Sequence, residues 1–200
     1  MTEPTPPERV DDDAVDVSLM KEVAKGDHRA FEELVTRHQH AVVGTVAKML
    51  NNASEAEDIA QQVFLRLWKC APRYKPTAKF TTFLFTITRN LVFNESRRKQ
   101  RRKEHSLDEQ EDDWHRQIPE GGENRPDTRL LQTEMDQAVD NAIANLPEKQ
   151  RLAVVLRRYE QMPYEEIAGI LDLSVSAVKS QLFRARTSLR ESLQRILETE

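Results

Sequence analysis

The sequence predicts an all-α protein built from two small helical domains joined by a flexible acidic linker. Glycine is scarce, with 5 residues among 200, and the frequent residue types lose little conformational freedom in a helix. No segment alternates apolar and polar residues for long enough to indicate a strand. Proline and glycine gather in a few places, and these places divide the chain into its elements.

The charged residues are segregated along the chain. The net charge is −4, but residues 1–17 and 104–128 together hold 15 acidic and three basic residues. The rest of the chain therefore has 27 basic and 19 acidic residues, a net charge of +8. We predict that residues 1–17 form an acidic disordered N-terminal segment and that residues 104–128 form the acidic linker, because neither can bury enough apolar surface to order itself. The basic remainder indicates a polyanionic partner.

The first helical domain is predicted at residues 18–103. Gly26 followed by Asp27 indicates the end of one helix and the N-cap of the next. Ser54 with Glu57 three residues later predicts a capping box for another helix. That helix has a broad apolar face, and its other face holds polar residues with one leucine. The pattern fits a solvated face and a partner-binding face equally well.

A loop at residues 72–79 precedes a long helix that ends in RRKQRRK, with six basic residues among seven. Asn90 and Asn94 share a strip of this helix with arginines, and amides with arginines can contact base edges and phosphates. The candidate nucleic-acid contacts are Asn90, Asn94, Arg97, Arg98 and Arg101. The same helix carries Phe80, Phe83, Phe85 and Phe93, which could stack on unpaired bases. We favour core packing for Phe80 and Phe83.

The second helical domain is predicted at residues 129–200, and its last two helices have the proportions of a helix–turn–helix. Ser174 is the expected N-cap of the final helix, and Pro163 opens the helix before it. The outer face of the final helix is basic and contains no acidic residue, which favours DNA binding over an ordinary solvated face. The candidate DNA contacts are Ser176, Lys179, Ser180, Phe183, Arg184 and Arg186.

Three blocks of this sequence resemble a bacterial RNA polymerase sigma factor of the extracytoplasmic-function (ECF) group. They are EAEDIAQQVFLRLW, FTTFLFTITRNLVFNESRRKQRR and LPEKQRLAVVLRRYEQMPYEEIAGILDLSVSAVKSQLFRARTSLRESL, in the order and spacing of that group. The resemblance implies that residues 18–103 are sigma region 2 and residues 129–200 are sigma region 4. It implies binding to core RNA polymerase, recognition of the −35 and −10 promoter elements, and help in melting DNA.

The resemblance also assigns roles to residues. The helix at 55–69 would bind the β′ clamp helices through Asp58, Gln61, Gln62, Leu65 and Arg66. Region 4 would sit at the β flap and contact the −35 element through the final helix. The −10 element would be contacted by the long helix, with a flipped base held by the loop at 72–79. Gln62, where the group usually has an acid, and Asp172, where it has a turn glycine, are departures from the pattern.

Other functions are less well supported by the sequence. A helix–turn–helix regulator that acts without polymerase is the alternative. No catalytic, metal-binding or cofactor-binding residues are predicted, because His38 and His40 point in different directions on a helix and no phosphate-binding loop occurs. Cys70 is the single cysteine, and no apolar run could span a membrane, so we expect a cytoplasmic protein. An anti-sigma factor commonly controls this group, but the sequence identifies none.

Overall fold

The computed structural model describes residues 10–107 and 137–197, and within these ranges all regular structure is helical, which confirms the predicted fold class. The elements are α1 (Val10–Ala24), α2 (His28–Leu50), α3 (Ala53–Cys70), a 3₁₀ turn (Ala71–Arg73), α4 (Phe80–Leu107), α5 (137–144), α6 (Glu148–Arg158), α7 (Tyr164–Leu171) and α8 (Val175–Leu197). Helix α4 continues four residues past the predicted start of the linker. The rest of the predicted linker lies outside the described residues.

Polar side chains cap the helices of the first domain. Asp27 Oδ1 accepts the backbone N–H of Arg29 at 2.8 Å, so its predicted N-cap role is confirmed. The predicted capping box at Ser54 is wrong. Asn52, two residues earlier, is the N-cap of α3, and its Oδ1 accepts the N–H groups of Ser54 and Glu55. Asparagine satisfies these otherwise unpaired donors as well as serine does.

Helix α1 begins at Val10, so the prediction of disorder is wrong for residues 10–17. Asp16 is only 2% exposed, and its two carboxylate oxygens lie 2.8 Å from Arg37 Nε and from His38 Nε2 on α2. Asp13 Oδ1 accepts the backbone N–H of Phe80 at 2.7 Å, at the start of α4. These acidic residues therefore order the segment by pairing with the domain itself, which composition alone does not reveal.

Arg37 lies between two carboxylates of α1. Its Nη2 atom is 2.8 Å from Asp12 Oδ1, in addition to the bond with Asp16. Partial burial alone would lower the pKa of Arg37, but the hydrogen bonds with Asp12 and Asp16 outweigh it and the pKa is raised. Asp12 and Asp16 are therefore paired with α2, and Asp13 is paired with the start of α4.

Helices α1 to α4 enclose the core of the first domain, and α5 to α8 that of the second. Fully buried side chains include Leu34, Val46, Val63, Leu67 and Leu84 in the first and Leu152, Leu156, Ile167, Ile170 and Val178 in the second. Trp68 packs against the first core, with its ring stacked on His28 at a centroid distance of 4.8 Å. The spacing of these residues within each helix gives one apolar stripe per helix.

The two domains are docked against each other. Helix α7 packs on α4 and helix α6 packs on α2, and buried residues of both domains form one continuous hydrophobic cluster. Lys79 Nζ lies 2.5 Å from Glu166 Oε1, and Lys48 Nζ lies 3.0 Å from Asp140 Oδ1. The contact thus combines apolar packing with ion pairs in which the first domain supplies the cations.

Arg151 of α6 joins the two domains at the carboxyl ends of helices. It donates to the backbone carbonyls of Met49 in α2 and of Ala144 and Leu146 at the end of α5. Burial lowers the pKa of the Arg151 guanidinium, and the Glu148 carboxylate opposes that shift. The three carbonyl oxygens offset the cost of burying this charge, because carbonyls in a last helical turn have no partner within the helix.

Arg151→Met should therefore destabilise the protein. Methionine keeps most of the buried stem but removes every donor, leaving three carbonyls unpaired, at a cost of roughly 2–4 kcal/mol in the free energy of unfolding. Urea unfolding followed by circular dichroism measures it. Arg158→Met is the matched control, because Arg158 is exposed on the same helix and its loss should cost less than about 0.5 kcal/mol. Equal losses in both variants would contradict the role of Arg151.

Candidate nucleic-acid and polymerase interfaces

Helices α7 and α8 form a helix–turn–helix with a three-residue turn. Asp172 ends α7 in the left-handed conformation, with φ 55° and ψ 54°, which Asp tolerates better than most residues. The predicted cap at Ser174 is confirmed, since its Oγ accepts the backbone N–H of Ala177 at 3.2 Å. Val178, Leu182 and Ala185 are buried, so the opposite face of α8 is turned to solvent.

The structure brings the predicted DNA-contact residues of α8 together on that outer face. All six are exposed: Ser176, Lys179, Ser180, Phe183, Arg184 and Arg186. Phe183 is 71% exposed, an unusual position for a large aromatic side chain in a monomer. Five of the six line a surface depression of about 530 Å³, and Ser176 lies outside it. The face offers cations, hydroxyls and an apolar ring, a combination suited to the major groove.

Tyr164, at the start of α7, lines the same depression and was missed by the sequence reasoning. Its ring centroid lies 5.0 Å from Arg157 Cζ and 6.0 Å from Lys179 Nζ, so two cations surround the ring. Cations at these distances are attracted to the face of an aromatic ring. Because of this attraction, Tyr164 helps to orient the Lys179 side chain. The only feature of the sequence that could have pointed to Tyr164 is an aromatic residue at the first position of the first helix of the motif.

On α4 the five predicted residues lie exposed along the helix: Asn90, Asn94, Arg97, Arg98 and Arg101. Two basic residues of the run at residues 97–103 form ion pairs within the domain. Lys99 Nζ lies 2.5 Å from Glu55 Oε2 of α3, and Arg98 Nη2 lies 2.9 Å from Glu95 Oε1. Lys99 thus fastens α4 to α3 and leaves the neighbouring arginines turned outward.

The aromatic residues of α4 are mostly used in packing. Phe80 is fully buried and Phe83 packs against the core, as favoured from the sequence. The stacking role considered for Phe85 is wrong in this structure, because Phe85 is only 2% exposed. Phe93 is partly buried against the core. The exposed candidate residues of this helix are therefore amides and arginines.

The predicted base-holding loop begins with the 3₁₀ turn Ala71–Arg73, so its irregular part is residues 74–79. Residues 75–79 are exposed, whereas the Tyr74 ring packs on Phe83 with centroids 5.1 Å apart. Burial raises the pKa of the Tyr74 hydroxyl, and the carboxylates of Asp13 and Asp16 add to the shift. Tyr74 thus anchors the loop beside α4.

The outer face of α3 is open to solvent. The five residues predicted to contact polymerase are all exposed there: Asp58, Gln61, Gln62, Leu65 and Arg66. Leu65 is 58% exposed at the centre of this polar face, while Val63 and Leu67 on the other side are fully buried. In the described part of the chain, the main packing partners of α3 are α2 and α4 of the same domain. This face is therefore available to a partner while the two domains are docked.

The second domain also has an apolar groove between α5, α6 and α8, with a volume of about 730 Å³. Apolar side chains form its floor and arginines stand at its rim. Its lining residues include Val139, Ile143, Val154, Leu182 and Leu189, with Arg157, Arg158 and Arg186. Such a groove suits an amphipathic segment with acidic residues.

Within residues 10–107 and 137–197 no group of His, Cys, Asp and Glu side chains is arranged to hold a metal ion. In the same ranges no helix has the length and apolarity required to cross a lipid bilayer. A polar cavity of about 450 Å³ lies between the docked domains, lined by Asp16, Arg37 and His38 on one side and Glu160 and Glu166 on the other. Its charges pair largely among themselves.

Comparison with known proteins agrees with these two domains. Residues 34–102 match the family described as Sigma-70 region 2, and residues 136–189 match the family described as Sigma-70, region 4. The RNA polymerase sigma-H factor of Pseudomonas aeruginosa is 32% identical over 187 residues, which cover 91% of this chain and 95% of that protein. The ECF RNA polymerase sigma-E factor of Escherichia coli K12 is also 32% identical, over 91% of this chain and 96% of that protein.

Two solved structures share the fold. CnrH in complex with the cytosolic domain of CnrY superposes with a TM-score of 0.68 at 24% identity, over 90% of this chain and 98% of that one. The sigma factor RpoE of Bartonella quintana, in complex with the anti-sigma factor NepR, gives a TM-score of 0.63 at 22% identity, over 82% and 96% of the two chains.

Two helical domains, one of which ends in a helix–turn–helix with a basic outer face, define a DNA-binding transcription protein. With matches in both domains and relatives of 32% identity along almost their whole length, the chain belongs to the ECF group of RNA polymerase sigma factors. The alternative of a helix–turn–helix regulator that needs no polymerase is not favoured, because the first domain matches region 2 of sigma factors as well.

Proposed function

We propose that this chain recruits core RNA polymerase to promoters and uses three separate surfaces to do so. The observation that carries the proposal is that the candidate residues of α3, α4 and α8 are all exposed, each set on one helix. The α3 face would bind the β′ clamp helices, α4 would contact the −10 element, and α8 would contact the −35 element. The chain itself performs no chemistry in this scheme, since polymerase makes the RNA.

At the −35 element, α8 would lie in the major groove. Lys179 and Arg184 can donate to guanine O6 and N7 or to phosphates, and Ser176 and Ser180 can contact either. The exposed ring of Phe183 can pack on a thymine methyl group. The apolar groove of the second domain would hold part of the β flap, so that polymerase fixes the distance of α8 from the start site.

At the −10 element, the amides of Asn90 and Asn94 would contact bases of the separated strand, and the exposed arginines beyond them would contact its phosphates. Extruding a base costs about a few kcal/mol, and a pocket that binds the flipped base offsets this cost. In support of this, the loop at 74–79 directly precedes α4, and it would form one wall of such a pocket.

The docked arrangement of the two domains would be the state of the chain before it binds polymerase. The −35 and −10 elements lie about 25 base pairs apart, or roughly 85 Å at 3.4 Å per base pair. In the structure α7 of the helix–turn–helix packs directly on α4. The two DNA-contacting helices therefore have to separate before they can contact both elements, and core polymerase would supply the binding energy. An anti-sigma factor, as in the RpoE complex, would bind the chain and prevent that separation.

Transcription in vitro tests the proposal. The purified chain with core polymerase should give transcripts from specific start sites on a promoter-rich template, whereas core polymerase alone should give none. A gel-shift assay should show weak or no binding of promoter DNA by the chain alone and strong binding when core polymerase is present. Strong, sequence-specific binding without polymerase would instead support the regulator alternative. A folded chain that directs no transcript from any such template would contradict the sigma-factor function.

A further inference from the structure

Arg89 contacts Asn90, its neighbour on α4, through two hydrogen bonds. Arg89 Nε and Nη2 both donate to Asn90 Oδ1, at 3.1 Å and 2.8 Å. A guanidinium group has donors and no acceptor, so the atom of the amide that faces it must be the oxygen. The Asn90 amide therefore has a defined orientation, which an exposed asparagine usually lacks.

This orientation decides which atoms Asn90 can offer to a base. Its Oδ1 already accepts two hydrogen bonds, while its Nδ2 donates to no partner within the described ranges. An unrestrained asparagine uses both atoms, as in its bidentate pairing with N6 and N7 of adenine. With the oxygen occupied, Asn90 presents two N–H donors, which can pair only with acceptor atoms.

Arg89 is itself held at its other end. Its Nη1 donates to the carbonyl of Ile170, in the last turn of α7. The planar guanidinium thus has defined partners on both sides, and a rigid fork of this kind loses less conformational freedom per bond than a lysine would. The bonds to Asn90 join adjacent residues of one helix, so they do not require α7 to stay docked.

Asn94 provides an internal comparison. It is exposed one turn further along α4, yet no hydrogen bond within the described ranges orients its amide. Asn94 can therefore rotate and present either its oxygen or its nitrogen to a base. Asn90 and Asn94 therefore differ in the atoms they can offer to a base, because Arg89 occupies the oxygen of Asn90 alone.

We propose that Arg89 is a positioning residue for promoter recognition: it binds Asn90 Oδ1 and turns the Nδ2 donors outward, so that Asn90 favours a base that presents acceptor atoms to it over a base that presents donors at the same place. The inference rests on the proposed contact of Asn90 with the −10 element. Arg89 acts through Asn90 and needs no contact with DNA to do this.

The test measures base preference with the full chain in complex with core polymerase. Promoter templates carry each of the four bases in turn at every −10 position, and initial transcription rates give the preference for the best base over the others. Asn90→Ala and Asn94→Ala first identify the position that each asparagine contacts. Arg89→Met should then lower the preference at the Asn90 position about three- to tenfold, the contribution of roughly one oriented hydrogen bond. It should leave the preference at the Asn94 position unchanged.

Two further variants separate positioning from a structural role. Arg89→Lys retains one donor for Asn90 Oδ1 and should keep part of the preference. Glu166→Gln removes an ion pair of the same interdomain contact without touching Asn90, so it should leave base preference unchanged. If Arg89→Met slows transcription equally for all four bases, or leaves the preference intact, Arg89 does not position Asn90. If Asn90→Ala changes the preference at no position, the proposed −10 role of Asn90 is overturned together with that of Arg89.

Discussion

Leu65→Glu should weaken binding of the chain to core RNA polymerase about 30- to 100-fold. Leu65 is 58% exposed at the centre of the polar face of α3. Burying such a side chain against a partner is worth about 1.5–3 kcal/mol, and a buried carboxylate would add a desolvation cost. Leucine and glutamate are both good helix formers, so the free energy of unfolding should change by less than about 0.5 kcal/mol.

Binding to core polymerase can be measured by fluorescence anisotropy with a labelled chain. Val15→Glu is the matched control, because Val15 is another partly exposed apolar residue, on α1, and receives the same carboxylate. It should keep the affinity within about twofold. A similar loss in both variants would mean that charge alone weakens the complex, and an unchanged affinity for Leu65→Glu would exclude the α3 face as the polymerase contact.

The double substitution Lys179→Ala with Arg184→Ala should lower transcription from promoters with a −35 element by at least about 30-fold. Both side chains are exposed on the outer face of α8. A good bidentate contact to a base contributes about 1–3 kcal/mol, and each phosphate contact also adds to the salt dependence. We therefore also expect the slope of log affinity against log salt concentration to fall by up to about 2 in magnitude.

The template supplies the control for this prediction. On a promoter whose −35 element is replaced by unrelated sequence, the double variant and the natural chain should transcribe to within a few fold of each other. Affinity for core polymerase should not change, since α3 is untouched. Lys149→Ala removes an exposed lysine of α6 and should have at most about a twofold effect. Equal losses of transcription on both templates would show that Lys179 and Arg184 do not act through the −35 element.

Most of the fold could be predicted from local patterns. Helix starts and ends follow caps such as Asp27 and Ser174 and breakers such as Pro163, and each helix has one apolar stripe. The outer face of α8 followed from the same periodicity, because residues on one face of a helix are separated by three or four positions. The family resemblance added the predicted roles of α3 and α4, which charge and periodicity alone left open.

Local patterns failed where the partner of a residue is distant in the sequence. Asp16 pairs with Arg37 and His38, 21 and 22 residues away, and composition alone therefore predicts disorder for the acidic segment around it. Phe85 was considered for base stacking but is buried in the folded protein. Composition and periodicity describe one segment at a time, so neither predicts which distant segments contact each other in the folded protein.

The sequence by itself determined the two helical domains, the helix–turn–helix and the residues exposed on its basic face, because these depend on interactions within a few turns of one helix. Only the tertiary structure decided that α7 packs on α4, that Arg151 caps helix ends of both domains, and that Arg89 of α4 donates to the Ile170 carbonyl of α7. These features depend on where separate helices meet. Hydrogen bonds act over about 3 Å, so they are defined only once the chain has folded.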